Sequence, residues 1–261
     1  MNLIRPEPQF KVKLAASPEE LCAAQRLRYD VFVKELGGKG SLVDHDNQLE
    51  RDTYDPYCDH LLLYDQARNL QNGNAVVGVY RILTSERAAE LGHFYSEEEY
   101  DLDVLKSSGR KLMELGRSCL HPEYRGGTAM LHLWQALSHY IMKRNIEILF
   151  GVASFHGTKV DAIKEPLSLL YYNYLAPREL RVVAKHPHNQ PMNLIVPHEL
   201  NKKRAILAVP ALIKAYLRLG GFVGEGAFVD RAFNTTDVCL VLDTAKLSER
   251  QKQIYGQREL K

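Results

Sequence analysis

The chain is expected to fold as an α/β protein (an α+β mixed sheet) with helices on both faces. Three observations predict this. Apolar runs of strand length alternate with stretches of helical period along the chain. A strand at 111–120 carries Glu114 and Arg117 and leads through a Gly-bearing turn into an apolar helix from about Thr128. With 261 residues and 45% hydrophobic content, the chain can bury one large core or two small ones. We expect one domain over residues 1–247, with a helical insertion at about 185–220 and a C-terminal tail at 248–261.

Phe10 to Leu14 reads as the first strand. Ser17-Pro18-Glu19-Glu20 then opens a helix, with Ser at the N-cap, Pro at the first helical position and Glu at the third. Leu21, Ala24, Leu27 and Val31 recur at helical spacing. Leu36 to Pro56 is Gly- and Asp-rich and aperiodic, and a loop of that length is uncommon without a task. His60–Asp65 and Ala75–Leu83 read as strands paired around the turn Gln71-Asn72-Gly73-Asn74. Lys111–Leu120 is the third strand. In the next helix Met130, Leu133, Trp134, Leu137 and Ile141 form one stripe. Ile146–Ala153 suits a buried parallel strand. Helices are expected at 161–175 and 203–219, the latter ending at Gly220-Gly221. Strands at 222–229 and 237–243 follow, and the tail from Ser248 reads as a short exposed helix or a disordered segment.

Lys+Arg 34 against Asp+Glu 32 is nearly balanced, so a nucleic-acid binder is not indicated. The balance is local, however. Asp44, Asp46, Glu50, Asp52, Asp55 and Asp59 crowd residues 44–59, whereas 202–218 holds Lys202, Lys203, Arg204, Lys214 and Arg218 without an acid. Such a cationic stretch suits an acidic protein or an anionic membrane. Met1–Val12 has no apolar core and does not read as a secretory signal. The longest uncharged apolar run, Ala205–Ile213, is broken by Pro210 and far short of the roughly 20 residues of a membrane span. A cytoplasmic protein, with peripheral contact at the inner membrane as an option, is the expectation. Cys22, Cys58, Cys119 and Cys239 show no paired spacing and read as reduced thiols. His186-Pro187-His188 lacks nearby ligands and reads as a loop, so no metal site is expected.

One set of charges does not suit a solvated face. Arg28 lies on the apolar-striped first helix, Arg81 interrupts the strand Val76–Leu83, and Glu114 and Arg117 share the third strand. Asp52 and Asp55 sit in the acidic loop. A charge within an apolar element needs a partner, so the set is either a buried ion network or a binding site. Glu114 and Arg117 would point to opposite faces of a regular strand, and a bulge at Gly116 would bring them to one side.

The chain resembles the ornithine lipid synthases, L-ornithine Nα-acyltransferases within the GNAT-like acyl-CoA N-acyltransferase fold. The resemblance rests on Arg26-Leu27-Arg28-Tyr29-Asp30-Val31-Phe32, Glu50-Arg51-Asp52-Thr53-Tyr54-Asp55-Pro56 and Val77-Gly78-Val79-Tyr80-Arg81. It extends through Glu114-Leu115-Gly116-Arg117-Ser118, Gly151-Val152-Ala153-Ser154-Phe155 and Phe228-Val229-Asp230. The chain is more distantly similar to acyl-homoserine-lactone synthases, but lacks the Trp those carry near 34–40; its one Trp is Trp134. The resemblance implies transfer of a 3-hydroxy fatty acyl group from acyl carrier protein to the α-amino group of L-ornithine, giving a lyso-ornithine lipid. It implies no permanently bound cofactor, the 4′-phosphopantetheine thioester being a co-substrate. Glutamine or another amino acid as acceptor, a lactone synthase and a CoA-dependent acetyltransferase are the alternatives, and a non-catalytic carrier-protein binder is the alternative from another class.

In CoA-dependent members of that fold an Arg-x-x-Gly-x-Gly/Ala turn cradles the pyrophosphate. Here Arg125-Gly126-Gly127-Thr128-Ala129-Met130 puts Thr and Met where small residues belong. A Cβ there restricts the backbone and crowds a diphosphate, which suits a carrier protein's single phosphodiester. Glu114 is the candidate base or amine-orienting carboxylate. Arg117, Arg81 or Arg28 would hold the amino-acid carboxylate, and Asp52 or Asp55 the distal ammonium. Phe32, Phe155 and Tyr171 are candidates for the acyl channel, with Ser154 beside Phe155 in the substrate-binding set, and main-chain N–H groups near strands 111–120 and 146–155 for the oxyanion hole.

Overall fold

In the computed structural model, which describes residues 7–40, 42–68 and 75–247, strand β1 (Phe10–Leu14) leads into helix α1 (Pro18–Arg28). The Ser17 hydroxyl caps α1 by accepting from the Glu20 amide at 3.4 Å, as its spacing predicts. A seven-residue π-helical turn, Tyr29–Glu35, continues from it. Then come β2 (Asp59–Asp65), β3 (Val76–Thr84), α2 (Ser85–Leu91), a 3-10 turn (Tyr95–Glu98), β4 (Tyr100–Asp101) and α3 (Asp103–Lys106). The middle of the chain forms β5 (Leu112–Leu120), α4 (Ala129–Arg144), β6 (Ile148–His156) and α5 (Lys164–Tyr174). The last third adds β7 (Val183–Ala184), β8 (Asn189–Gln190), α6 (Lys202–Ala208), α7 (Ala211–Arg218), β9 (Phe222–Val223), β10 (Ala227–Asp230) and β11 (Thr235–Asp243).

The residues gather into two compact units. The chain passes between them at Ile82–Leu83, within β5 at Leu115–Gly116, and at Arg144–Asn145. In the first unit β1 pairs antiparallel with β2, and β2 with β3, His60 lying opposite Arg81. Successive side chains alternate across this sheet. Leu62, Val79 and Cys119 therefore meet Ala24 and Leu27 of α1 and Val31 of the π-helical turn on one face. Leu63, Gly78 and Leu120 meet Leu133 of α4 on the other, so this unit carries a helix on each face. Gly78 is required there, because a Cβ would lie 2.7 Å from Leu120 Cδ2 and 3.0 Å from Leu133 Cδ1.

In the second unit β5 runs parallel to β6, with Leu112, Met113 and Glu114 opposite Ile148, Leu149 and Phe150. Antiparallel pairing then takes β6 to β11, β11 to β10 and β10 to β8, so this sheet is mixed. The parallel register runs as far as Glu114 and Phe150; at the next position Gly151 lies against the Leu115 carbonyl, where a Cβ would collide with the oxygen.

Several expectations need correction. The helix expected at 203–219 is two, α6 and α7, because Pro210 has no N–H to donate and starts the second helix instead. The strand expected at 222–229 is split into β9 and β10 by Gly224-Glu225-Gly226, with Gly226 at φ +81°. The stretch 84–110, for which periodicity offered no element, holds α2, the 3-10 turn, β4 and α3. The turn 71–74 and the tail 248–261 lie outside the described residues. Among those described, no helix is long and apolar enough to cross a membrane.

Replacing Gly151 by Ala drives a methyl into the Leu115 carbonyl. The expected loss is about 1–3 kcal/mol of unfolding free energy in urea titration, and an unchanged midpoint would refute the close approach.

Candidate active site

The acidic loop is fastened to α1 before it contributes any charge. The Glu50 amide donates to the Gln25 carbonyl at 3.1 Å, and Gln25 Nε2 donates to Asp55 Oδ2 at 2.8 Å. Asp52 Oδ1 accepts from the amides of Tyr54 and Asp55 at 3.0 and 3.2 Å, which opens a 3-10 turn at Asp55–Tyr57. His60 Nε2 donates to the Asp55 carbonyl at 3.1 Å. A loop with no periodicity thus becomes a rigid carrier of three carboxylates.

Those carboxylates and three arginines close into a ring of alternating sign within the first unit. Arg28 Nε reaches Glu50 Oε2 at 2.5 Å and Arg28 Nη1 reaches Asp55 Oδ1 at 2.7 Å. Arg81 Nη1 reaches Asp55 Oδ1 at 3.0 Å and Asp52 Oδ2 at 2.6 Å. Arg117 completes the circle through Nε to Glu50 Oε1 and Nη2 to Asp52 Oδ2, both at 3.1 Å. The sequence reading grouped Glu114 with the three arginines; the third acid of the ring is Glu50. Four members are buried to 4% exposure or less, while Arg117 (10%) and Asp52 (18%) form its open edge. The Nη2 of Arg28, fully buried, has no hydrogen-bond partner.

Burial alone would push each of these carboxyls up. For Glu50 the charges of Arg117, Arg28 and Arg81 outweigh it and hold the group below the usual carboxylate range. Arg81 and Arg117 do the same for Asp52, and Arg28 and Arg81 hold Asp55 far below that range. All three are therefore anions at neutral pH. Burial pushes the Cys119 thiol, which neighbours the ring charges, up to about 12, so it is not a thiolate nucleophile.

Arg117 takes its place through an unusual backbone. Its φ is +49°, a left-handed conformation that costs a non-Gly residue about 1–2 kcal/mol. This left-handed residue directly follows Gly116, where a bulge was expected. On the same strand, in the second unit, Glu114 is 4% exposed. Its oxygens accept from the Tyr95 amide at 2.8 Å, the Ser96 amide at 2.6 Å and the Ser96 hydroxyl at 2.5 Å. Sequence reasoning missed Ser96 and Tyr95. Phe94 to Glu97 form a capping turn, with the Phe94 amide donating to Glu97 Oε1 at 2.9 Å, and that spacing was the available signal.

The other expected site residues fall in several places. Phe32 packs partly buried against the α1 core cluster. Ser154 is exposed and Phe155 buried on β6, opposite Asp237 and Thr236. Arg125 forks onto Glu35 at 2.6 and 2.7 Å, and Gly126 (φ +77°), Gly127 and Thr128 are exposed ahead of α4. Among the described residues, Glu99, Asp230 and Asp237 bring one oxygen each within 4.8 Å of one another, a trio that sequence spacing did not suggest.

The acetyltransferase (GNAT) domain family matches residues 27–135. A Rhodobacter capsulatus protein described as L-ornithine N(alpha)-acyltransferase is 55% identical over 95% of this chain and 95% of its own. A Brucella abortus protein of the same description is 40% identical over 95% of this chain and 89% of its own. Among solved structures, the CoA-dependent acyl-homoserine lactone synthase BjaI aligns over 95% of this chain and 88% of its own, with a TM-score of 0.53 and 14% identity. A second such synthase, MesI, aligns over 95% and 97% with a TM-score of 0.52 and 14% identity. These similarities establish the GNAT-type fold.

The ring makes a prediction about acid. Carboxyls with folded pKa values below their unfolded values, near about 4, stabilise the fold fully above that pH, and the contribution is lost as pH falls through the folded values. Glu50→Gln should cost about 3–5 kcal/mol at pH 7 and flatten the acid limb of the stability curve. Urea unfolding of both proteins between pH 7 and pH 3 is the measurement; superimposable limbs would remove Glu50 from the ring.

Proposed function

Because the chain belongs to the L-ornithine N(alpha)-acyltransferase family, we propose that it acylates the α-amino group of L-ornithine with a 3-hydroxy fatty acyl group carried by acyl carrier protein, releasing a lyso-ornithine lipid. It is an acyltransferase. The observation that carries the acceptor is the near full-length match to relatives named for that activity. The donor rests on the turn before α4. Thr128 and Met130 stand where a pyrophosphate needs small residues, and Arg125 is engaged by Glu35. A single phosphodiester makes fewer demands on such a turn than CoA does.

The α-amino nitrogen attacks the thioester carbonyl, the C–N bond forms, the C–S bond breaks, and the proton shed by nitrogen ends on the departing sulfur. An α-amino group with a pKa of about 8 is already roughly one-tenth unprotonated at pH 7, a deficit of about 1.4 kcal/mol. The thiol, with a pKa of about 8.5, leaves without strong acid assistance. Orientation and stabilisation of the oxyanion therefore matter more than a strong base.

Glu114 is assigned the amine. Its grip by Tyr95 and Ser96 fixes the direction of both oxygens, so it orients the ammonium and passes its proton on, directly or through water. Of the ring, Arg117 and Asp52 are assigned the acceptor's carboxylate and distal ammonium, because theirs is the open edge. Arg28, Arg81 and Asp55 position that edge from within, and Phe32, Ser154 and Phe155 are assigned to the acyl chain.

Thiol release from 3-hydroxyacyl carrier protein, measured across a panel of amino acids with acyl-CoA as control donor, tests this reading. Ornithine-dependent release with the carrier-protein donor is expected. Release only with acyl-CoA, or a preference for glutamine, would replace the donor or the acceptor. Glu114→Ala should lower turnover by roughly 10²-fold or more. Ser96→Ala should cost roughly tenfold, the worth of about one hydrogen bond. Near-normal turnover of a folded Glu114→Ala protein would take that carboxylate out of the reaction.

A further inference from the structure

Helices α6 and α7 meet at an elbow, Val209-Pro210, that presents an exposed apolar residue on a cationic stretch of chain. Leu207 is 78% exposed, more than any other exposed large hydrophobic residue among those described. Its exposure is imposed by packing. Ala205 (0%), Val209 (2%) and Ile213 (0%) face inward, while Leu207, Ala208 and Ala211 face out. Arg204 pairs with Glu165 of α5, with Nε–Oε2 at 2.6 Å, a surface contact between the two helices. Lys214 Nζ lies 3.4 Å from the Leu207 carbonyl, which brings an ammonium to the side of the apolar tip. Lys202 and Lys203 are exposed on the first turn of α6, and no acid occurs between 202 and 218. A helix's own dipole disfavours cations in its first turn, so nothing within α6 accounts for them.

We propose that this elbow is a docking surface for an anionic lipid bilayer, with Leu207 entering the interface and Lys202, Lys203 and Lys214 meeting the headgroups. A bilayer accepts an apolar tip flanked by lysines, since interfacial anchors pair an apolar residue with cations that meet the headgroups. An acidic protein partner would need an apolar pocket matched to Leu207, whereas a bilayer offers apolar depth wherever the leucine lands. Each cation near an anionic surface strengthens attachment about fivefold, and the attraction weakens as salt rises. An acylated amino acid is itself an amphiphile, and release beside a bilayer gives it an apolar destination.

Co-sedimentation of the full chain with vesicles, in the absence of any substrate, tests the surface independently of catalysis. The protein should bind vesicles enriched in phosphatidylglycerol, in a salt-sensitive manner, and not pure phosphatidylcholine vesicles. Leu207→Glu, and separately the combined Lys202→Glu, Lys203→Glu and Lys214→Glu changes, should each lower the bound fraction at least fivefold with melting temperature unchanged. Leu207→Ser serves as the milder version should the glutamate variant fold poorly. Failure of the parent protein to bind, or equal binding by the variants, overturns the proposal. So does unchanged vesicle binding with a raised KM for the carrier-protein donor, which would make the elbow a protein dock.

Discussion

A closed ring of three guanidinium groups and three carboxylates, most of it dry, is the constraint the first unit is built around. Each buried ion forfeits several kcal/mol of hydration, and the attraction between neighbours offsets this only when every member is present. An open chain of pairs would leave two ends half satisfied. Closure gives each acid two arginines and each arginine two acids. The ring is thus less a source of net stability than a condition on assembly, since an apolar set of the same shape could hold the elements together as well. What an apolar set could not do is demand that the end of α1, the loop at 50–55, the middle of β3 and Arg117 of β5 arrive in one register. The hydrogen bonds from Gln25 and His60 to Asp55 serve the same end by fixing the loop that carries the acids.

The left-handed backbone at Arg117 follows from that demand. Two charge-assisted contacts, to Glu50 and Asp52, offset a conformation worth about 1–2 kcal/mol against an ordinary strand residue. Strain of this kind persists only where the surroundings over-determine it, and it recurs where a side chain must be aimed for use. Here the aimed side chain belongs to the most open edge of the ring, and the π-helical turn after Arg28 is a second departure from regular geometry in the same unit.

Five of the six ring members were legible in the sequence because each broke a pattern. Arg28 interrupted an apolar helical stripe, Arg81 an apolar strand, and Arg117 a strand running into a glycine turn, while Asp52 and Asp55 sat in a loop too long to be idle. Glu50 broke nothing. It stood beside Arg51 in an acid-rich segment, where a solvated face explains a carboxylate equally well. The partners of Glu114 were invisible for a different reason. Ser96 and Tyr95 act largely through main-chain amides of a four-residue turn, and amides carry no sequence signal beyond the capping pattern around them. The single helix expected at 203–219 was a misreading of a stated fact, since Pro210 was visible and its missing N–H sufficed to divide the segment.

The two carboxylate systems differ in a way that bears on the chemistry. The ring acids are held as anions by full positive charges, which fixes their ionisation and makes them poor proton acceptors. Glu114 accepts from two amides and a hydroxyl, which direct its lone pairs. Thioester aminolysis lacks only about 1.4 kcal/mol of deprotonation at neutral pH, so a group that orients the amine and takes its proton late meets the need. The demand that remains is geometric, and preorganised dipoles meet it at no reorganisation cost during the reaction. The short turn at 95–98, which no periodicity announced, supplies three such dipoles, all aimed at Glu114.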